Sequence, residues 1–346
     1  MKQIYDIDYE ELKKIIINHN ESGYRADQLW NLFYKNGIKN IGQISASNLN
    51  KSLKDFITTN FGINRLTVEN NLKSIEDKSE KIVIKLEDKY KIESVLIKEK
   101  DYHTLCVSTQ IGCNMKCVFC RTGTLKFQRN LSVGEIVQQY LIAKDLLNDW
   151  PIKDDTKKKV NNIVFMGMGE PLLNYENVKK SINIFMSSKG LNVSKHNITI
   201  STCGIVPIIY KCAKETPVNL AISLHSTNND IRSKLMPINN KYSIKDILKA
   251  GEYYSKTTGR QITLEYVLID NLNDTDQEAI KLVNIIKSIN AKINIIPFNS
   301  WNGCEYKSPS KLSIEKFTTI LYNHDIIPLI RYSKGNDIMA ACGQLI

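Results

Sequence analysis

Three cysteines fall within eight residues, Cys113-Asn-Met-Lys-Cys117-Val-Phe-Cys120. Three thiolates from one tight loop can hold three corners of a four-iron cluster and leave the fourth iron without a protein ligand. Chemistry happens at such an open iron. The competing chemistry is a structural zinc site, which wants four closed ligands, commonly as two CxxC pairs. No second pair is present, so His103 or a distant cysteine would have to complete it.

Other groups with chemical capacity punctuate the chain downstream: Gly167-Met-Gly169-Glu170-Pro171, Ser201, Ser223-Leu224-His225 and Asn299. Glycines let the backbone approach a ligand closely, and the Glu170 carboxylate suits an ammonium group or a ribose hydroxyl. His225, taken singly, is equally a satisfied core histidine. Of the remaining cysteines, Cys106 lies seven residues before Cys113, and Cys342 sits in Ala-Ala-Cys342-Gly-Gln near the end of the sequence. A terminal tail not needed to close the fold can lie over its mouth and carry a thiol there. Cys203, Cys212 and Cys304 read as small core hydrophobes.

The elements that must position these groups follow from periodicity. Residues 8–58 read as helices, with Asp8 as a cap and Leu12, Ile15 and Ile16 on one face. Lys81–Leu86 and Lys91–Lys98 alternate apolar and polar around a charged turn, as a half-buried hairpin does. From Thr104 onward strands are expected at 104–109, 162–167, 197–201, 218–224, 261–268, 292–297 and 327–332. Helices are expected between them, one opening on the Ser132–Glu135 capping box and others near 176–189, 244–257, 275–289 and 313–323. Repeated strand–helix units imply a parallel sheet curled by right-handed crossovers. The expected class is therefore α/β, a partial (β/α)6-type barrel with a small N-terminal helical domain. The expected division is 1–75 helical, 76–98 hairpin linker, 99–337 core barrel and 338–346 tail. Every polar motif named above then falls at a strand end on the carboxyl face, where barrel active sites lie.

Length and composition bound the function class. With 346 residues, 42% hydrophobic and 24% charged, the chain suits one large domain with a small appendage and does not suit a disordered or fibrous protein. No stretch approaches the roughly 18 apolar residues of a membrane span, and the opening lacks the layout of a signal peptide. A cytoplasmic, reducing setting is expected, in which clustered cysteines bind metal or do chemistry rather than form disulfides. The net charge of +11 favours a polyanionic partner, although a chain this rich in Ile, Lys and Asn gains lysines in any case.

The CxxxCxxC loop, with aromatic Phe119 before its last cysteine, resembles that of the radical S-adenosylmethionine (SAM) enzymes. TLCVSTQIGC, the cluster, GMGEP, SLH and the tail AACGQL together resemble the bacterial dual-specificity RNA adenine C2 methyltransferases of that superfamily, from about Glu93 to the end. The N-terminal helices resemble that family's accessory RNA-binding domain more weakly. The resemblance implies a [4Fe-4S] cluster on Cys113, Cys117 and Cys120, and SAM contacts from Gly169, Glu170, Ser201, Ser223, Leu224, His225 and Asn299. It implies that one SAM methylates Cys342 and a second supplies a deoxyadenosyl radical, which removes hydrogen from that methyl group. The resulting carbon radical adds to C2 of an adenine, an electron-poor carbon that cannot take a methyl cation. Cys106 then helps resolve the protein–RNA adduct through a Cys106–Cys342 disulfide, and Glu93 stands at the position of a proton acceptor. The implied partners are 23S rRNA at the peptidyl-transferase centre, tRNA beside the anticodon and a flavodoxin- or ferredoxin-type electron donor, with no membrane and a monomeric chain. Lys126, Arg129 and Lys234 are candidates for holding RNA phosphates. Three alternatives stay open at this point: a C8-adenine methyltransferase of the same superfamily, a radical enzyme that activates another protein, and a non-enzymatic metal-stabilised RNA-binding protein.

Overall fold

In the computed structural model, which describes residues 1–152, 158–289 and 291–346, ten strands lie side by side in chain order. They are β1 (Thr67–Lys73), β2 (Glu80–Lys85), β3 (Lys91–Lys98), β4 (His103–Cys106), β5 (Val160–Phe165), β6 (Ile198–Thr202), β7 (Asn219–Ser223), β8 (Ile262–Leu268), β9 (Ala291–Pro297) and β10 (Leu329–Ile330). Neighbours from β4 to β10 are all parallel, and β1 to β4 pair antiparallel. Among the described residues no pairing joins β1 to β10, so the barrel is partial, as expected.

Eleven helices accompany the described strands: α1 (Tyr9–Asn18), α2 (Tyr24–Tyr34), α3 (Ile41–Ser45), α4 (Lys51–Asn60), α5 (Val133–Leu146), α6 (Tyr175–Met186), α7 (Val206–Glu215), α8 (Asn229–Leu235), α9 (Ile244–Thr258), α10 (Asp276–Ser288) and α11 (Lys311–Tyr322). Asp8 caps α1 by accepting the Glu11 amide, and Ser132 with Glu135 forms the reciprocal capping box of α5. Helix α5 is buried at every residue from Ile136 to Lys144 because it is covered on both sides. The barrel sheet lies against one side. On the other, Asp6 accepts the Gly134 amide at 2.6 Å and Arg65 pairs with Asp145 at 3.0 Å, which seats the N-terminal helices on the barrel wall.

Three strands differ from expectation. Strand β1 carries a largely exposed Thr-Val-Glu-Asn-Asn-Leu-Lys pattern with a bulge after Val68, and it makes the hairpin a three-stranded extension. Its polar residues suit an edge strand and hide the strand signal. The first barrel strand stops at Cys106 rather than 109. The last shrinks to Leu329–Ile330 at the sheet edge, where Ile327 is 84% exposed.

Candidate active site

Beyond β4 the backbone passes to Gln110–Ile111, which pairs antiparallel with Arg129–Asn130 and closes a loop over residues 112–128. Gly112 opens this loop with φ 72°, and a Cβ there would lie 2.3 Å from the Lys126 carbonyl oxygen, so only glycine fits. Inside the loop the Cys120 amide donates to the Cys117 carbonyl (3.1 Å) and the Gly123 amide to the Cys120 carbonyl (2.9 Å). All eight cysteines are free thiols.

Cys113, Cys117 and Cys120 line one cavity of about 530 Å³. Among the described residues no three Cys, His, Asp or Glu side chains converge to hold a single ion. Thiols spread along a common wall suit a cuboidal cluster, whose irons sit at separate corners, better than a tetrahedral zinc centre. His103 begins β4 at the end away from the loop, its Nδ1 3.3 Å from the Lys159 carbonyl, and so completes no zinc site. Burial raises all three thiols, Cys113 to about 12, a cost that bound iron removes by taking them as thiolates.

Gly169, Glu170, Ser201, Ser223 and His225 line the same cavity. At Gly169, φ is 95° and a Cβ would lie 2.4 Å from that of Gln110, so the close approach of these two segments requires glycine. The Glu170 carboxylate is buried; its Oε1 accepts the Leu172 amide (2.9 Å) and its Oε2 the Cys203 amide (2.8 Å). These bonds fix the carboxylate at the cavity wall, while burial raises its pKa. His225 has φ 57°, packs edge-on against Phe119, and accepts the Val267 amide at Nδ1 (3.0 Å). That acceptor role leaves the proton on Nε2. Leu224 is buried in the wall and does not line the cavity.

The C-terminal tail lies across the cysteine loop. The Arg121 amide donates to the Gly343 carbonyl (2.7 Å), the Thr122 hydroxyl to the Leu345 carbonyl (2.7 Å), and the Trp301 indole to the Phe119 carbonyl (3.1 Å). Cys342 thereby faces the cavity from one side and Cys106 from another. Cys342 is solvent-accessible through the cavity although protein surrounds it, and this enclosure raises its thiol to about 11, with Glu265 adding to the rise. Cys106 is raised to about 12 by burial first and by Cys342 second.

Two residues expected at the site are engaged elsewhere. Asn299 does not line the cavity; its Nδ2 donates to the Cys342 carbonyl (3.0 Å) and its Oδ1 accepts the Ser333 hydroxyl. Glu93 is 6% exposed, pairs with Lys81 (3.2 Å) and accepts the Ile346 amide (2.9 Å), so it too holds the tail. Among the RNA candidates, Lys126 and Lys234 are exposed, whereas Arg129 is held by Glu135 and Asp88.

The structure adds residues that motif reading passed over. Cys203, assigned to the core, lines the cavity. Glu265 is 4% exposed, accepts Asn294 Nδ2 at Oε1 (2.9 Å) and, among the described residues, leaves Oε2 without a hydrogen-bond partner at the cavity wall. A carboxylate inside the apolar run Ile-Thr-Leu-Glu-Tyr-Val-Leu was the available signal. An orphaned buried oxygen, a cavity of this volume and three loop thiols together fit a cluster with an organic ligand.

The Radical SAM superfamily model matches residues 107–283, so the barrel and its cysteine loop are those of a radical SAM enzyme. The dual-specificity RNA methyltransferase RlmN of Paramagnetospirillum magneticum is 39% identical over 94% of this chain and 71% of its own length. That of Dinoroseobacter shibae is 42% identical over 93% and 82%. The crystal structure of a radical SAM methyltransferase from Sphaerobacter thermophilus superposes with a TM-score of 0.93 at 35% identity, covering 100% of this chain and 99% of that one. The chain belongs to the RlmN family, and it is a SAM-dependent radical methyltransferase with an iron–sulfur cluster. Membership in a family of enzymes sets aside the reading as a non-enzymatic RNA-binding protein.

Proposed function

We propose that this enzyme methylates C2 of an adenine in 23S rRNA at the peptidyl-transferase centre and in tRNA 3′ of the anticodon. RNA as substrate is supported by the names of the relatives and by the net charge of +11. The observation that carries the reading is that Cys106 and Cys342 open onto the same cavity as Cys113, Cys117 and Cys120. An enzyme that only generated a radical for another protein has no need of those two extra thiols.

When bound at the open iron, SAM supplies a 5′-deoxyadenosyl radical. The chain's own residues prepare and finish the transfer. Gly169, Glu170, Ser201, Ser223 and His225, which line the cavity, hold SAM, with Glu170 facing an ammonium or hydroxyl group and neutral His225 offering its Nε2 proton, while Leu224 backs the wall and Asn299 holds the Cys342 carbonyl. Cys342 would first accept a methyl group on Sγ from one SAM, losing its proton as S-adenosylhomocysteine leaves. The Cys342 methyl group would then give up one hydrogen atom, which leaves as part of 5′-deoxyadenosine, and bond through its carbon to C2, linking protein to RNA. Once the adduct has returned one electron to the cluster and lost the C2 proton, Cys106 would attack Cys342 Sγ: the bond from that sulfur to the methylene carbon breaks, the carbon takes a proton to become the methyl group, and a reductant then returns two electrons to the Cys106–Cys342 disulfide. For Glu93 to accept a proton it must first release Lys81 and Ile346, so tail movement accompanies that role. C2 of a stacked adenine is inaccessible, and the enzyme takes an unpaired or flipped base. The enzyme works as a cytoplasmic monomer supplied by a flavodoxin- or ferredoxin-type donor.

The test is anaerobic incubation of reconstituted protein with labelled SAM and each RNA, followed by mass spectrometry of the nucleosides. 2-Methyladenosine in both RNAs supports the proposal. 8-Methyladenosine would assign the chain to the C8 chemistry instead, and unlabelled RNA would refute both.

A further inference from the structure

Arg232 on α8 is fully buried, and among the described residues no carboxylate pairs with it. Its donors go to neutral acceptors: Nε to the Leu224 carbonyl (3.0 Å), Nη1 to Asn239 Oδ1 (2.9 Å), and Nη2 to the carbonyls of Cys203 (2.9 Å) and Ser223 (2.8 Å). A buried charge ordinarily has an opposite charge beside it, because transfer out of water costs several kcal/mol otherwise. Hydrogen bonds satisfy the guanidinium's geometry and leave its charge unbalanced.

The surroundings identify where the balance lies. Cys203 and Ser223, whose carbonyls Arg232 binds, form part of the cavity wall with Cys117. Helix α8 also touches the cysteine loop directly, since the Val118 amide donates to the Leu235 carbonyl (3.0 Å). The ionisable groups that act on Arg232 are Cys203 and Cys117, and of these Cys117 becomes an anion when it holds iron as a thiolate. Burial lowers the guanidinium to about 10, so it is still charged at neutral pH.

We propose that Arg232 is the fixed counter-charge of the iron–sulfur cluster, a positioning residue that raises the reduction potential of the cluster held by Cys113, Cys117 and Cys120. Adding one electron to the cluster adds one negative charge to a low-dielectric site. A cation held behind the cysteine loop favours that state, and Coulomb attraction weakens only slowly with distance where water is excluded. The same guanidinium ties the segments after β6 and β7, so the residue that tunes the metal also sets the wall carrying Ser223 and His225.

The experiment compares anaerobically reconstituted wild-type protein with R232Q, R232K and N239D, each assayed for iron and sulfide and then titrated potentiometrically by electron paramagnetic resonance. Asn239→Asp is nearly isosteric and places an anion on Arg232 Nη1, while it gives up the donations of Nδ2 to the Asn229 carbonyl, Asn229 Oδ1 and the Ser233 hydroxyl. Loss of the charge in R232Q and its neutralisation in N239D are both expected to shift the midpoint to lower potential, while R232K, which keeps the charge with fewer hydrogen bonds, is expected to stay near wild type. Should R232Q fail to retain iron, the other two variants decide. A wild-type midpoint in N239D, or a fall in R232K matching that of the charge-free variants, overturns the proposal.

Discussion

The amide of Arg121 donates to the carbonyl of Gly343 at 2.7 Å, so the residue after the last loop cysteine is bonded to the residue after Cys342. Cluster loop and tail are therefore one hydrogen-bonded unit, and Cys342 faces the cavity only while that unit is assembled.

Thr122 extends the same junction through its buried hydroxyl to the Leu345 carbonyl. Thr122→Val keeps the shape and leaves that carbonyl without its donor, at a cost of about 1–3 kcal/mol. Hydrogen exchange of the C-terminal peptide should quicken in T122V while the β5–β8 peptides keep wild-type protection. Unchanged exchange in the tail would show that its docking does not depend on the loop.

Lys81 and Glu93 form an ion pair with both side chains 7% exposed, and Lys81 also donates to the Met339 carbonyl. Glu93→Ala strands a buried ammonium group and should lower stability by about 3–5 kcal/mol in denaturant melts. The double variant E93A/K81M removes the stranded charge and should recover much of that loss. Additive losses in the double variant would mean that the pair is not coupled.

His225 is held neutral, its pKa drawn down to about 3 by burial first and by the Arg232 charge second. In the unfolded chain a histidine titrates near 6.5, so between about 6.5 and 3 the unfolded state binds a proton that the native state refuses. The contribution of His225 is complete above about pH 6.5 and is lost as pH falls, by at most ~1.4 kcal/mol per pH unit. His225→Asn tolerates the positive φ and offers Oδ1 to the Val267 amide. Its melts at pH 4 to 7 should show a shallower pH slope than wild type; an identical slope would place the acid sensitivity elsewhere.

Much of this arrangement was legible in the residues because the signals were local. The loop Cys113–Cys120, the Ser132–Glu135 box and the strand-end motifs at Gly169 and Ser223 carry their chemistry in their spacing. What was not legible depended on tertiary partners. The engagement of Glu93 by Lys81 and Ile346 joins positions 253 residues apart, which periodicity cannot show. Arg232 carries no signal of its own in the residues around it, since only the folded chain places three backbone carbonyls about its guanidinium. Strand β1 hid because an edge strand needs little apolar alternation, and Glu265 because a single carboxylate in an apolar strand carries no spacing.

The claim on which the account rests is that the Cys342 sulfur relays the methyl group, and it is tested most directly on the C-terminal peptide itself. Protein reconstituted and incubated anaerobically with SAM and a low-potential reductant, without RNA, is digested and the peptide containing Cys342 is sequenced by mass spectrometry. The account predicts a single methyl group on Cys342, absent when the loop cysteines are replaced. An unmodified Cys342 in protein that nonetheless methylates RNA would contradict it.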